Sequence, residues 1–444
     1  MTSPADGAGS IVAIDGSRPL RGRLRPVGDK SITHRALIFN ALAEGDAHVR
    51  HANPGDDPRS TVSCLRALGV KIDDDGVGAW RVRGKGRVLR PATDALDCGN
   101  SGTTMRLLAG VCAGQSFTST LDGDDSLRGR PMRRVAVPLR ALGARVEGPS
   151  NGERPPLVIT GGDLSPGTIT IDVASAQVKS CLLLAGLVAG VDVGVKEPAP
   201  SRDHTERMLK AMGAPLESGP GWATLGAQTT LHALDIDVPA DPSAAALLAG
   251  VLAVVPGSDV EFVDLLRNPT RTRFVDVLER AGVQADWSAT RDAAGDRVGT
   301  LQLRSGHALS PVEVVPDEVP ALVDEVPALA AVAAFASGPS VFDGVGELRV
   351  KESDRIASMR ALLAAFGVET EDGPERLVVH GGTARRPVAE LPPTVDHRIS
   401  MAAAILAAGV SARDGGGPVA VDLTAAVVSH PGFAADLEGL RGDA

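Results

Sequence analysis

A repeat of about 70 residues constrains this chain more than any other feature. Glycines that follow apolar Ala/Leu helices recur at Gly45, Gly114, Gly190, Gly257, Gly338 and Gly409, at intervals of 69, 76, 67, 81 and 71 residues. A second series interleaves with the first: C-L-R-A-L-G-V-K-I at Cys64, P-L-R-A-L-G-A-R-V at Pro138, M-L-K-A-M-G-A-P-L at Met208, V-L-E-R-A-G-V-Q-A at Val277 and A-L-L-A-A-F-G-V-E at Ala361. Each reads as an amphipathic helix that ends at a glycine (Gly69, Gly143, Gly213, Gly282, Gly367) and runs into a short alternating strand. The chain therefore holds about six units, each with two helices and short strands such as Val158 to Thr160 and Thr168 to Val173. Solenoid repeats are shorter and carry polar caps, so two compact α/β domains of three units each fit better.

The helices before the first glycine series share a design, a polar head on a body that is apolar all round, which marks buried helices. In G-D-K-S-I-T-H-R-A-L-I-F-N-A-L-A-E-G, from Gly28, Ser31 is the expected N-cap, and Lys30 and Arg35 stand at the helix start. Cations are unfavourable there by some tenths of a kcal/mol, because the macrodipole is already positive. A bound anion reverses that sign. The same violation recurs at Lys351 and Arg355 in L-R-V-K-E-S-D-R-I, where Ser353 is the expected cap, and at Arg398 in D-H-R-I-S-M. With the heads gathered at one end of each domain, two facing domains would line a cleft with helix N-termini and cations, an enclosed trap for multiply charged anions.

The net charge of -10 makes such a trap a local exception and argues against a general polyanion surface. Aromatics make up 2% and tyrosine is absent, so base-stacking platforms for nucleic acid are not expected. Cys64, Cys98, Cys112 and Cys181 are far apart and in apolar context, as buried thiols of a reducing compartment would be, with no disulfide framework or zinc site. Residues 1–10 read as a frayed tail without an export signal, and the runs Cys181 to Val191 and Ala244 to Val255 are too short to span a bilayer. The expectation is a cytoplasmic protein.

Individually the other heads have bland readings beside the sharp ones. C-G-N-S-G-T-T-M-R, with Asn100 and Gly102, suits either an anion loop or an ordinary helix start. L-R-G-R-P-M-R-R suits a solvated basic face, although Arg130 beside Pro131 has the look of a fixed side chain. A-S-A-Q, with Ser175 and Gln177, offers a hydroxyl and an amide, and S-R-D-H-T-E, with Arg202 and His204, suits a helix cap. Asp324 and Glu325 fit a helix N-terminus; alternatively one carboxylate takes a proton from a bound hydroxyl, its pKa raised by burial.

Taken in order, G-D-K-S-I-T-H-R, G-N-S-G-T-T-M-R, R-P-M, A-S-A-Q-V-K-S, S-R-D-H-T-E, N-P-T-R-T, D-E-V-P, L-R-V-K-E-S-D-R and D-H-R-I-S-M resemble the 5-enolpyruvylshikimate-3-phosphate synthase family, with A-S-A-Q-V-K-S and R-D-H-T-E similar to its class II bacterial form. The resemblance implies an inverse αβ barrel, two domains of three βαβαββ units with helix N-termini facing the cleft. It places the N-terminal domain at 26–240 and the C-terminal domain at 11–25 plus 241–444, with chain crossings near Arg25 and Asp241. It implies transfer of the enolpyruvyl group of phosphoenolpyruvate to the 5-hydroxyl of 3-phosphoshikimate, with release of phosphate, by a monomer without metal or organic cofactor. Lys30, Ser31, Arg35, Ser175, Gln177, Arg202, Asp324 and Lys351 would then hold 3-phosphoshikimate, and Lys30, Asn100, Gly102, Arg130, Gln177, Arg355 and Arg398 phosphoenolpyruvate. Asp324, Glu352 and Lys30 would handle the protons. Ala176, His204 and the segment near Val428 depart from many members, and Gly102 would leave room for the inhibitor glyphosate. The rival readings are an enolpyruvyl transferase acting on UDP-N-acetylglucosamine and a non-catalytic repeat scaffold.

Overall fold

The computed structural model describes residues 11–227 and 230–441, so the expected N-terminal tail lies outside the described residues. Six helices form the interior: Lys30–Ala41, Gly102–Ala113, Ala176–Ala189, Pro242–Val254, Val326–Ala333 and His397–Asp414. Their bodies are buried on every side, as the all-round apolar pattern requires. Buried apolar residues divide into two clusters: one runs from Ile32 to Val238 with Leu266, and the other takes Ile14, Leu20 and residues from Ala240 to Leu440.

Around each set of three helices lie short sheets, and the second unit gives the pattern. Leu96–Asp97 pairs in parallel with Thr118–Asp122 on either side of a buried helix; Thr118–Asp122 pairs antiparallel with Leu157–Thr160, which pairs antiparallel with Arg145–Glu147. This is a βαβαββ unit, and the third and fifth units repeat it. Two units borrow their first strand from elsewhere in the chain. Ile236–Asp237 closes the first unit against Asp46–Arg50, and Arg21–Leu24 closes the fourth against Asp259–Leu266. Among the described residues the sixth unit has a two-stranded sheet, Ile11–Ile14 on Val419–Asp422. The chain thus passes between the two cores at two neighbouring points, where the Asp29 N–H donates to the Pro239 carbonyl at 2.8 Å and the Asp241 N–H to that of Val27 at 2.9 Å.

The second glycine series behaves as expected: Gly69, Gly143, Gly213, Gly282 and Gly367 all take positive φ, between 73° and 109°. The first series needs correction. Gly190 caps its helix at φ 71°, but Gly409 lies inside the helix His397–Asp414, which ends at Gly415 with φ 63°. The reason is close packing, since a Cβ on Gly409 would run into the ring of Phe335. Gly110 serves the same purpose: a Cβ there would overlap the carbonyl of Cys181 on the neighbouring helix Ala176–Ala189. Gly110→Ala is expected to cost about 1–3 kcal/mol, visible as a lower thermal midpoint; an unchanged midpoint would refute the close-packing reading. Two cap assignments also change. Asp29, not Ser31, accepts the Ile32 N–H at 2.7 Å, and Asp354, not Ser353, accepts the Ala357 N–H at 3.0 Å; each time the helix starts one or two residues away from the serine position that suits a cap. No described helix is long and apolar enough to cross a membrane, and the four cysteines are free and buried.

Candidate active site

The N-terminal ends of the buried helices converge on one cleft. Side chains from both halves line it: Lys30, Arg106, Arg130, Arg134, Arg202, Arg271, Lys351, Arg355 and Arg398, against the carboxylates Asp57, Asp241, Asp324, Glu347 and Glu352. An acidic protein therefore concentrates nine cations against five anions in one recess, which is a site for ligands carrying several negative charges.

Arg355 is the centre of the C-terminal wall. Its guanidinium is 1% exposed and donates to Glu352 Oε2 at 2.5 Å, to Asp396 Oδ2 at 2.9 Å and to Asp324 Oδ1 at 3.3 Å. Asp396 in turn caps the helix His397–Asp414, accepting the Arg398 N–H at 3.0 Å, while Arg398 Nη1 reaches the Asp324 carbonyl at 3.0 Å. From the opposite wall Arg202 donates to Asp324 Oδ2 at 2.9 Å, Arg130 lies 3.4 Å from Glu352, and Arg134 lies 3.2 Å from Glu347, which also holds Lys351 at 3.1 Å. Lys30 Nζ rests on Asp57 at 2.9 Å. Arg130 is fixed as its proline neighbour suggested, buried with Nη2 on Asn100 Oδ1 at 2.6 Å.

Burial raises the proton affinity of Asp324, but Arg398, Arg202, Lys351 and Arg355 outweigh it and hold its carboxyl well below the usual range. Glu352 behaves alike: burial opposes, and the cations Arg355, Arg130 and Lys30 prevail. Of the adjacent pair, burial raises the Glu325 carboxyl, whereas at Asp324 four cations override it. His397, by contrast, is kept neutral by burial, Lys30 and Arg398, which bring it down to about 3. Carboxyls with depressed folded pKa values contribute stability that is fully present above their unfolded values near 4 and lost as pH falls through the folded ones. The urea midpoint is therefore expected to lose this contribution as the pH falls below about 4; a midpoint that holds or rises over that range would refute the assignment.

A family model described as EPSP synthase (3-phosphoshikimate 1-carboxyvinyltransferase) matches residues 14–437. The chain belongs to the EPSP synthase family. It is similar to the 3-phosphoshikimate 1-carboxyvinyltransferase of Thermus thermophilus, at 45% identity over 423 residues, 94% of this chain and 96% of that one. It also resembles that of a Synechococcus strain, at 44% identity over 439 residues, covering 97% and 99%. Among solved structures, EPSP synthase from Acinetobacter baumannii superposes with a TM-score of 0.83 at 36% identity, covering 97% and 98%. The enolpyruvyl transferase NikO from Streptomyces tendae shares the fold, with a TM-score of 0.70 at 18% identity.

Of the residues carried over from the EPSP synthase family, Lys30, Ser31, Gly102, Arg130, Ser175, Gln177, Arg202, Asp324, Lys351, Glu352, Arg355 and Arg398 share this cleft. Arg35 and Asn100 stand outside the wall. Arg35 is buried behind it, donating to Thr205 Oγ1 at 2.7 Å, to the Ser31 carbonyl at 3.0 Å and to Ser180 Oγ at 3.0 Å, so it ties three helix starts together. Asn100 braces Arg130 and donates to Asp124 at 2.8 Å.

Arg106, Arg134, Arg271, Asp57 and Glu347 also line the cleft and were not nominated from sequence. For Arg106 a signal existed. It lies four residues after Gly102, so on a helix it points back over the first turn; Nη1 reaches Gln177 Oε1 at 2.7 Å, and Gln177 Nε2 donates to Thr103 at 2.9 Å. Burial, then Arg134 and Arg130, bring the pKa of Arg106 down to about 10. His204 lies behind the wall, its Nδ1 on Asp296 Oδ2 at 3.0 Å, and Asp203 bonds Asn268 rather than capping its helix. Among the described residues, Asp203, His204 and Asp296 bring ligand atoms within 4.8 Å of one another, but Asn268, Arg207 and Arg271 already occupy them.

Proposed function

We propose that this cleft carries out the reaction of the family, transfer of the enolpyruvyl group of phosphoenolpyruvate to the 5-hydroxyl of 3-phosphoshikimate with release of phosphate, and that its residues divide the work as follows. The substrates bring two phosphates and two carboxylates, about -6 when ionised. Ser31, Ser175, Gln177, Arg202 and Lys351 hold 3-phosphoshikimate; Gly102, Arg130, Arg355 and Arg398 hold phosphoenolpyruvate; Lys30 reaches both. Asp324 accepts the hydroxyl proton as the oxygen attacks the enolpyruvyl carbon, and Glu352 with Lys30 delivers and later removes the proton at the adjacent methylene carbon. Substrate anions drawing on Arg202, Arg355 and Arg398 relax the hold on Asp324, so its proton affinity climbs toward the working range as the site fills.

The observation that carries this reading is that one buried guanidinium, Arg355, holds Asp324 and Glu352 together while Arg202 and Arg130 meet the same two carboxylates from the opposite half. We take residues 26–240 as the N-terminal domain and 11–25 plus 241–444 as the C-terminal one, closing as substrate binds. Since the walls come from a single chain, a monomer suffices, and the free thiols suit a reducing cytoplasm. The test is phosphate release from purified protein given phosphoenolpyruvate with 3-phosphoshikimate, or with UDP-N-acetylglucosamine. Release with the first pair alone is expected; release with the second alone would replace this reading by its rival.

Gly102 bears on inhibition by glyphosate. A Cβ there would come within 2.8 Å of Arg106 Nη1 and 3.3 Å of Arg130 Nη1, so a methyl group takes room that the guanidinium ends and a ligand share. Glyphosate is expected to inhibit the parent and to bind Gly102→Ala about tenfold less tightly; equal inhibition constants would refute this.

A further inference from the structure

Residues of four of the sequence motifs pair behind the cleft in two polar clusters. Lys179 of A-S-A-Q-V-K-S bonds Glu206 of S-R-D-H-T-E at 2.8 Å and Glu197 at 2.7 Å. Asn268 of N-P-T-R-T bonds Asp203 and Asp296, each at 2.8 Å, and Arg271 of the same motif reaches Asp29 of G-D-K-S.

Arg271 is the member that touches both halves at the chain crossings. It is 2% exposed; Nη1 donates to Asp29 Oδ2 at 2.6 Å and lies 3.3 Å from His204 Nε2, and Nη2 donates to Asp241 Oδ1 at 2.9 Å and Ser243 Oγ at 3.1 Å. Each of its carboxylate partners has its other oxygen on the start of the Lys30 helix. Asp29 Oδ1 accepts the Ile32 N–H, and Asp241 Oδ2 accepts the N–H of Lys30 itself at 3.1 Å. On the other side, Ser243 donates to Glu325, the neighbour of Asp324. One rigid fork thus links the backbone of Lys30, from one half, to the segment carrying Asp324, from the other.

We propose that Arg271 is a positioning residue for the reaction, fixing Lys30 relative to Asp324 and Glu352 through Asp29, Asp241 and Ser243. The inference rests on the assignment of Lys30 to the reaction. A guanidinium is needed because its planar donors span two carboxylates and a hydroxyl at once, whereas an ammonium of equal charge is a single point. A shift of about 1 Å in a positioned group can cost about 100-fold in rate.

The test is a double-mutant cycle on phosphate release, with Arg271→Lys and Lys30→Arg alone and combined. Arg271→Lys is expected to lower kcat by about 100-fold, and to lower it less than about threefold further once Lys30→Arg has already displaced the ammonium. Multiplicative losses in the double variant, with an active parent, would overturn the inference and leave the reaction standing. An inactive parent would overturn the reaction and the inference with it. Should Arg271→Lys not fold, Asp241→Asn enters the cycle in its place, keeping an acceptor for the Lys30 N–H while releasing one arm of Arg271, and the same two outcomes decide.

Discussion

Lys30→Ala is expected to lower phosphate release by about 1,000-fold or more while the protein stays folded. The ammonium stands at the start of a helix whose free N–H groups and dipole already favour anions, and charge-assisted bonds contribute about 1.5–3 kcal/mol each. If it meets both substrates and also serves proton transfer at the enolpyruvyl carbon, the binding and acid–base contributions are lost together, the latter about 100-fold or more alone. Stability falls far less than activity, because the partner left behind, Asp57, though only 6% exposed, lines the cleft, where water filling the space of the lost side chain can solvate it. A variant retaining more than a tenth of the parental rate would remove Lys30 from the chemistry.

Arg355→Met is expected to be costly in a different way, destabilising the protein by about 3–5 kcal/mol and abolishing turnover. Arg355 neutralises Glu352, Asp324 and Asp396 from a position 1% exposed. Its loss takes from Asp396 its guanidinium partner, weakens the hold on Glu352 and Asp324, and loosens the cap that Asp396 makes on the longest buried helix. The urea midpoint at pH 7 measures this. The deficit should shrink as the pH falls toward 5, because carboxyls without their cation bind protons at higher pH than in the parent. A midpoint equal to the parent's at pH 7 would mean that the wall does not depend on this residue.

The fold was legible in the repeat. Five glycines with positive φ sit where the second series put them, and the buried helices follow from bodies that are apolar all round. Which residue ends or caps each helix was less legible: Gly409 reads as a terminator and is a packing glycine under Phe335, because composition alone does not distinguish the two uses of a missing side chain. In the site, cations at helix starts identified one recess, but Arg106, Arg134 and Arg271 escaped because each reaches the cleft from a segment whose local pattern is that of a helix body or a loop. The sign of the shift at Asp324 was illegible too. It depends on Arg202, 122 residues away in sequence, and on Arg398, 74 residues away, which only the folded chain brings together.

Among the described residues three ion pairs span the cleft: Arg130 with Glu352, Arg134 with Glu347 and Arg202 with Asp324. Their cations are already in service before any ligand arrives. Substrate capture then works as ion exchange, in which an incoming phosphate or carboxylate takes over a guanidinium and sets a resident carboxylate free. The three guanidiniums in these pairs are compensated both before and after the exchange, which limits repulsion between the two halves while empty. Two of the three carboxylates so released, Asp324 and Glu352, are the ones proposed to handle protons, so on that proposal filling the site and arming its bases are a single event.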